Sequence, residues 1–194
     1  MKTKLFLAAA ALICAVSTVN AQEAEASYEF KSAVISTKAD MMGQPMITKY
    51  YIDDYGKKQA TEMDMNFGGN AMHIIAVKQA DGSTISYDLN TKEGRKEVQA
   101  NVNFLNITPE VTKKYKIKEL GEELCQDKPC KVYSLEIEQM GMAVGQKVWI
   151  WKGFALKTEI DGGMFTMVTE VSELNLDAEI DQKIFEIPAD VKVR

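Results

Sequence analysis

The chain is poor in the residues that do chemistry. Histidine occurs once in 194 residues, at position 73. A zinc site would need further His or Cys ligands, and a Ser-His-Asp arrangement would have to use that one ring. There is no G-x-S-x-G elbow, no phosphate-binding glycine loop and no dinucleotide fingerprint. Arginine occurs only at 95 and 194, so the forked donors that grip phosphate are scarce. With 28 acids against 23 bases, the chain lacks the clustered positive charge that nucleic acid requires. The same acidity disfavours docking on an anionic membrane. Beyond residues 5–16 there is no long apolar run, which argues against a permanent membrane anchor. Neither a cofactor nor a metal is expected, and the chemistry-bearing residues give no reason to expect an enzyme.

What is present begins with the first 21 residues. Lys2 and Lys4 precede an apolar run, LFLAAAALICAV, and STVNA follows with small side chains at Val19 and Ala21. This is the pattern of a secretory signal peptide cleaved after Ala21. The apolar run is about a dozen residues, shorter than the ~20 that span a bilayer. Cys14 follows Ile13 rather than a small residue, so it is not a lipid-attachment cysteine. The expectation is a periplasmic or secreted protein. Removing 1–21 leaves residues 22–194 as a single domain with 21 bases against 28 acids, a net charge of −7. A monomer is expected.

Two cysteines remain, Cys125 and Cys130, spaced C-x4-C. In an exported protein a disulfide is the first reading. Free thiols, or a metal site recruiting other ligands, are the alternatives, since the spacing is too long for a C-x-x-C redox motif.

Most of the chain alternates with period two. Strands are expected over 28–37, 46–53, 58–67, 71–78, 83–89, 115–124, 131–138, 145–152, 155–160 and 164–175, joined by turns such as Asp54–Lys57, Asp81-Gly82 and Asp161–Gly163. Leu156, Thr158 and Ile160 are expected on one face of their strand. Thr108, Pro109 and Glu110 signal a short helix from about Pro109 to Lys114, and Asp181–Phe185 one helical turn. The fold class is therefore mainly β (α+β): a curved antiparallel sheet or half-open β-barrel of about nine or more strands with a short helical lid. One short helix cannot cover so many strands, so the sheet must curl or leave an apolar hollow.

At this point the segments YIDDYGKK, SYDLNTKEGRK, GEELCQDKPCKVY, VWIWKGFALKTEIDGG and the terminal FEIPADVKV resemble exported proteins of the LolA/LolB-like superfamily, the outer-membrane lipoprotein carriers. The resemblance covers nearly all of 22–194. It implies a half-closed barrel with a helical lid, whose cavity receives lipoprotein acyl chains, and no catalytic residues. The carriers hold their lid with an arginine on a sheet strand. No matching-strand arginine is found here, and Arg95 reads as lying near a turn.

Met63, Met65, Phe67, Tyr87, Leu135, Leu156 and Phe165 are the expected cavity wall, with Trp149 and Trp151 as further candidates. The Trp face is ambiguous, because Val148 and Ile150 compete for the interior. Ten methionines remain beyond Met1. Met is flexible and polarisable, which suits core filling, a ligand wall, or a thioether copper site. The leading functional reading is a carrier for an apolar, acyl-bearing ligand. The alternatives are a non-catalytic envelope protein acting through its surface, and a Met-based copper binder.

Overall fold

The computed structural model describes residues 25–41, 44–67, 70–97, 102–139, 142–163 and 166–194. The signal segment with its cleavage position, residues 98–101, Met42, Met140, Met164 and Phe165 lie outside these. So do the side chains of Met65 and Phe67. Among the described residues no helix is long and apolar enough to cross a membrane.

Twelve strands form one sheet: β1 (Ala33–Met41), β2 (Gln44–Asp53), β3 (Lys58–Phe67), β4 (Asn70–Lys78), β5 (Thr84–Asp88), β6 (Glu93–Glu97), β7 (Lys118–Cys125), β8 (Lys128–Gln139), β9 (Met142–Trp151), β10 (Phe154–Asp161), β11 (Thr166–Leu176) and β12 (Lys192–Val193). Their order across the sheet is β12-β6-β5-β4-β3-β2-β1-β11-β10-β9-β8-β7. Every neighbouring pair is antiparallel except β12 with β6. The first expected strand starts five residues late, at Ala33, because residues 25–32 serve another purpose.

The helix signal is read correctly. Helix α1 runs Pro109–Tyr115, and the Thr108 hydroxyl accepts from Val111 N–H, which satisfies one of the free donors of the first turn. One turn of 3-10 helix, Gln182–Phe185, is capped by Asp181 accepting from Lys183 N–H. The sheet is curved and not closed, giving a half-open barrel with one short helix as its lid.

Three apolar cores organise it. The first joins Ala33, Ile35, Ile52, Val171 and Leu156 to Cys130, Val132 and Trp149. Gln126, in the β7–β8 turn, reaches across the curl, its side chain donating to the Val171 carbonyl of β11 at 2.5 Å. That bond spans β8, β9 and β10, so the first core lies on the inner face. The second core lies on the opposite face of β8 and β9, where Tyr133, Leu135, Val148 and Ile150 pack under Tyr115, Val111, Phe104 and Ile107. The third packs Ala60, Ile75, Val77 and Tyr87 beneath the C-terminal segment, through Ile184, Phe185, Ile187 and Val191. Strands β8 and β9 are thus buried on both sides, which settles the competition between the tryptophans and Val148 with Ile150: both sets are interior.

Alternation fails once where it was expected to hold. A bulge between Ala155 and Lys157 shifts the β9–β10 register. Leu156 joins Trp149 in the first core, whereas Thr158 and Ile160 stand opposite Val148 and Gln146. A bulge inserts one residue and bends its strand. A second one, between Ser36 and Thr37 in the β1–β11 pairing, lies beside it in the sheet, where the curl is needed.

The two edges differ. The β6 edge is covered by β12. The β7 edge is bare, carries Glu119, Glu122 and Glu123, and is bulged between Glu119 and Gly121.

One end of the barrel is closed by residues 27–31. The amides of Ser27 and Tyr28 donate to the Tyr55 carbonyl, Tyr55 N–H donates back to Lys31, and Glu29 N–H donates to the Lys152 carbonyl. Tyr28 stacks on Phe30 at 5.1 Å, and Tyr50 meets Phe154 edge-on at 5.3 Å. Gly153 makes the close approach possible. Its φ is +86°, and a Cβ there would sit 2.3 Å from the Ser27 carbonyl oxygen. Gly82 has a similar φ of +80° with open space around it. Gly153→Ala should therefore cost at least about 2 kcal/mol, and Gly82→Ala only about 1 kcal/mol. Urea unfolding of both variants checks this, since equal losses would mean the Ser27 contact carries no weight.

Candidate ligand-binding site

The inner face can be followed from strand to strand without a register shift between β1 and β6. One row runs Ile35, Tyr50, Thr61, Ala76, Ser86, Arg95; the next runs Thr37, Thr48, Met63, Ile74, Asp88. Up to Tyr50 the face is filled by the first core. Beyond it the face opens into a groove of about 660 Å³ floored by Thr61, Met63, Met72, Ile74, Ala76 and Ser86. That volume lies in the ~300–1,000 Å³ range of small-molecule sites. These floor residues are half-buried, while their neighbours on the other face, Ala60, Ile75 and Val77, are sealed under the C-terminal segment. Charged residues form the rim. Arg95 pairs with Glu97 at 2.6 Å and Arg194 with Glu93 at 3.0 Å, and Asp88 lies beside them. Arg95 is on strand β6, not near a turn as read from the sequence, and the chain's two arginines meet at this rim.

The nine expected wall residues do not share one cavity. Met63 lines the groove. Tyr87 stands opposite Ile75 in the third core, on the reverse face from Met63, although its edge reaches the groove rim. Leu135 is in the second core. Leu156 and Trp149 are in the first, with Trp151 packed against it. The Met65 and Phe67 side chains and all of Phe165 lie outside the described residues. Met72, Ile74 and Ala76 were missed. They belong to a segment apolar on both faces, and its alternation does not say which set faces inward.

Trp149 is 5% exposed and enclosed by charge. Lys147 and Lys157 place their ammonium groups 4.3 and 4.7 Å from its ring centre, and its indole N–H donates to Glu123 at 2.7 Å. The Trp149 donor, helped by Lys147, holds the Glu123 carboxyl below the usual carboxylate range. Lys157 is held above its ordinary value by Glu159 at 2.9 Å. These contacts fill the inner face near β9 rather than leaving a hollow there. His73 projects to the reverse face, its Nδ1 2.7 Å from Asp64 and its Nε2 2.9 Å from Glu62 but off the donor direction. Glu62 in turn accepts from the Tyr51 hydroxyl at 2.6 Å.

Cys125, half-buried, and Cys130, buried, are both thiols in this structure. Cys125 stands opposite Lys128 and Cys130 opposite Glu123, so the two are diagonal neighbours, and the Cys130 thiol donates to the Lys128 carbonyl at 3.5 Å.

No family model matches the sequence, and no curated protein matches it as a relative. Solved structures do match the fold. An uncharacterised conserved protein from Thermus thermophilus superposes with a TM-score of 0.54 at 10% identity, over 86% of this chain and 91% of that one. MucB matches with a TM-score of 0.50 at 14% identity, over 88% of this chain and 62% of MucB. A domain from Vibrio parahaemolyticus described as a candidate outer membrane lipoprotein-sorting protein gives a TM-score of 0.43 at 10% identity, over 82% of this chain and 92% of that one. Identities this low speak to fold alone, and the third score is too low to argue from. The first two of these structures share the overall fold of this chain.

Burial, with Cys125 alongside, pushes the Cys130 thiol up to about 11 from an ordinary 9.0. The thiolate is the reactive form. At pH 8, iodoacetamide should therefore modify Cys130 about 100-fold more slowly than a free thiol, and the rate should climb about tenfold per pH unit until about pH 11. Cys125, only partly buried, should react first. Peptide mass mapping over time checks the order, and equal rates at the two cysteines would contradict it.

Proposed function

We propose that the protein is a non-enzymatic carrier or sensor of the cell envelope that holds an apolar, acyl-bearing molecule in the inner-face groove of β3–β6. The observation that carries this reading is the asymmetry of those strands. One face is sealed by the protein's own C-terminal segment, while the other offers Met63, Met72, Ile74 and Ala76 to solvent. Apolar surface left half-open in a concave site is the usual mark of a ligand seat. Each buried methylene of a bound chain would contribute ~0.8 kcal/mol. The resemblance of the sequence segments to lipoprotein carriers supports the same ligand class. An export signal cleaved after Ala21 belongs to this proposal, as does a monomeric state without a membrane anchor. The rival, an envelope protein acting through its surface, retains one observation: Leu120 and Leu124 on the bare β7 edge are 53% and 75% exposed.

Native mass spectrometry of protein purified from the periplasm should show a bound lipid, and a fluorescent fatty-acid probe should brighten on binding the stripped protein. Ile74→Glu with Ala76→Glu should weaken the probe at least tenfold, or about 1.4 kcal/mol, with the circular dichroism spectrum unchanged. Protein that carries no lipid and leaves the probe dark would end the carrier reading.

A further inference from the structure

The methionines on described strand positions gather at one end of the sheet. Alternating strand direction puts the β1–β2, β3–β4, β5–β6, β8–β9 and β10–β11 connections at that end. The β2–β3, β4–β5, β7–β8 and β9–β10 connections lie at the other. Met41, Met46, Met63, Met65, Met72, Met142 and Met167 lie on strands within five residues of the first set. Among the described residues no methionine lies within five residues of the second set. Met42, Met140 and Met164, outside the described residues, play no part below.

Along the sequence these residues are scattered pairs. Across the sheet four of their register positions become neighbours. Met65 on β3 stands at the register position opposite Met72 on β4, and Met63 stands opposite Thr48 and Ile74. Met46 is two residues along β2 from Thr48, on the same face. Directly opposed Cβ atoms are ~4.5–5.5 Å apart and diagonal neighbours ~7–8 Å. Methionine has three rotatable bonds ending in a polarisable sulfur, so thioethers from β2, β3 and β4 can converge on one point. Met46, Met63 and Met72 are all half-buried, and the last two line the groove.

We propose that Met46, Met63 and Met72 form a thioether site for a soft monovalent cation of the Cu(I) class. Thioether ligands select Cu(I) over harder ions, and no described imidazole or thiol competes beside them. His73 projects to the other face, and Cys125 and Cys130 are on β7 and β8. Charge also favours a cation, because Asp88 stands opposite Ile74 in the row of Met63 and the chain is acidic overall. This site shares its face with the carrier reading but does not rest on it. Leucine side chains would serve an acyl chain equally well, whereas sulfur is needed for the metal.

The test titrates Ag(I), a redox-inert stand-in, into wild-type protein and into the Met46→Leu/Met63→Leu/Met72→Leu variant, both carrying methyl-labelled methionine. The swaps nearly conserve volume, and the cysteines are the same in both proteins, so thiol binding cancels. Wild type should take up one more equivalent of Ag(I), and the methyl signals of Met46, Met63 and Met72 should move with it. The leucine variant should lose that equivalent, or bind it at least about tenfold more weakly, with its circular dichroism spectrum unchanged. Equal stoichiometry and affinity in the two proteins, or unmoved methyl signals, would overturn the site. If the variant does not fold, the methyl shifts of wild type decide alone. A dark probe with intact Ag(I) binding would count against the carrier reading only.

Discussion

The structure depends on a short clamp of backbone hydrogen bonds. Residues 27–31 reach from the Tyr55 carbonyl to the Lys152 carbonyl, two turns that the sheet order separates by β1 and β11. An open sheet of twelve strands has no covalent reason to stay curled. Here one end is tied by main-chain bonds, and the tie is packed with Tyr28, Phe30, Tyr50 and Phe154. Backbone groups in such a junction must be paired, because leaving them unpaired inside an apolar cluster costs free energy. The tie and the aromatic cluster therefore stabilise each other, and the curl follows from both.

That junction also divides the inner face. Near it, the protein's own aromatics and the Lys147–Trp149–Lys157 arrangement leave no space. Away from it, across β3–β6, the same face is open. An open groove and a stable core coexist on one curved layer because they occupy different strands. The C-terminal segment lets this happen by covering the reverse side of the open half, so β3 and β4 need only one protein-filled face to be held in place.

Much of this was legible beforehand. Period-two alternation located every strand from β2 to β11 except β6, and Thr108, Pro109 and Glu110 marked α1. What alternation cannot give is the parity between strands. Met63 and Tyr87 each sit on the apolar side of their own strand, yet the register places them on opposite faces of the sheet. The bulge at Ala155–Lys157 is equally silent, because the pattern Leu156-Lys157-Thr158-Glu159-Ile160 continues through it unbroken. The Trp149 question had no single answer, since period two assumes one wet face and β9 has none. The gathering of methionines is likewise a property of strand order: residues far apart in sequence become adjacent only when β2, β3 and β4 lie side by side.

The unlike edges of the sheet bear on life at high concentration. A strand margin with free N–H and C=O groups invites another copy to dock and extend the ladder. On the β6 side that invitation is withdrawn by the parallel β12 stub. On the β7 side, three glutamates and a kink at Gly121 interrupt the row of donors and acceptors. Both flanks of the half-barrel are thereby guarded against edge-to-edge pairing, the route by which open sheets grow into fibres.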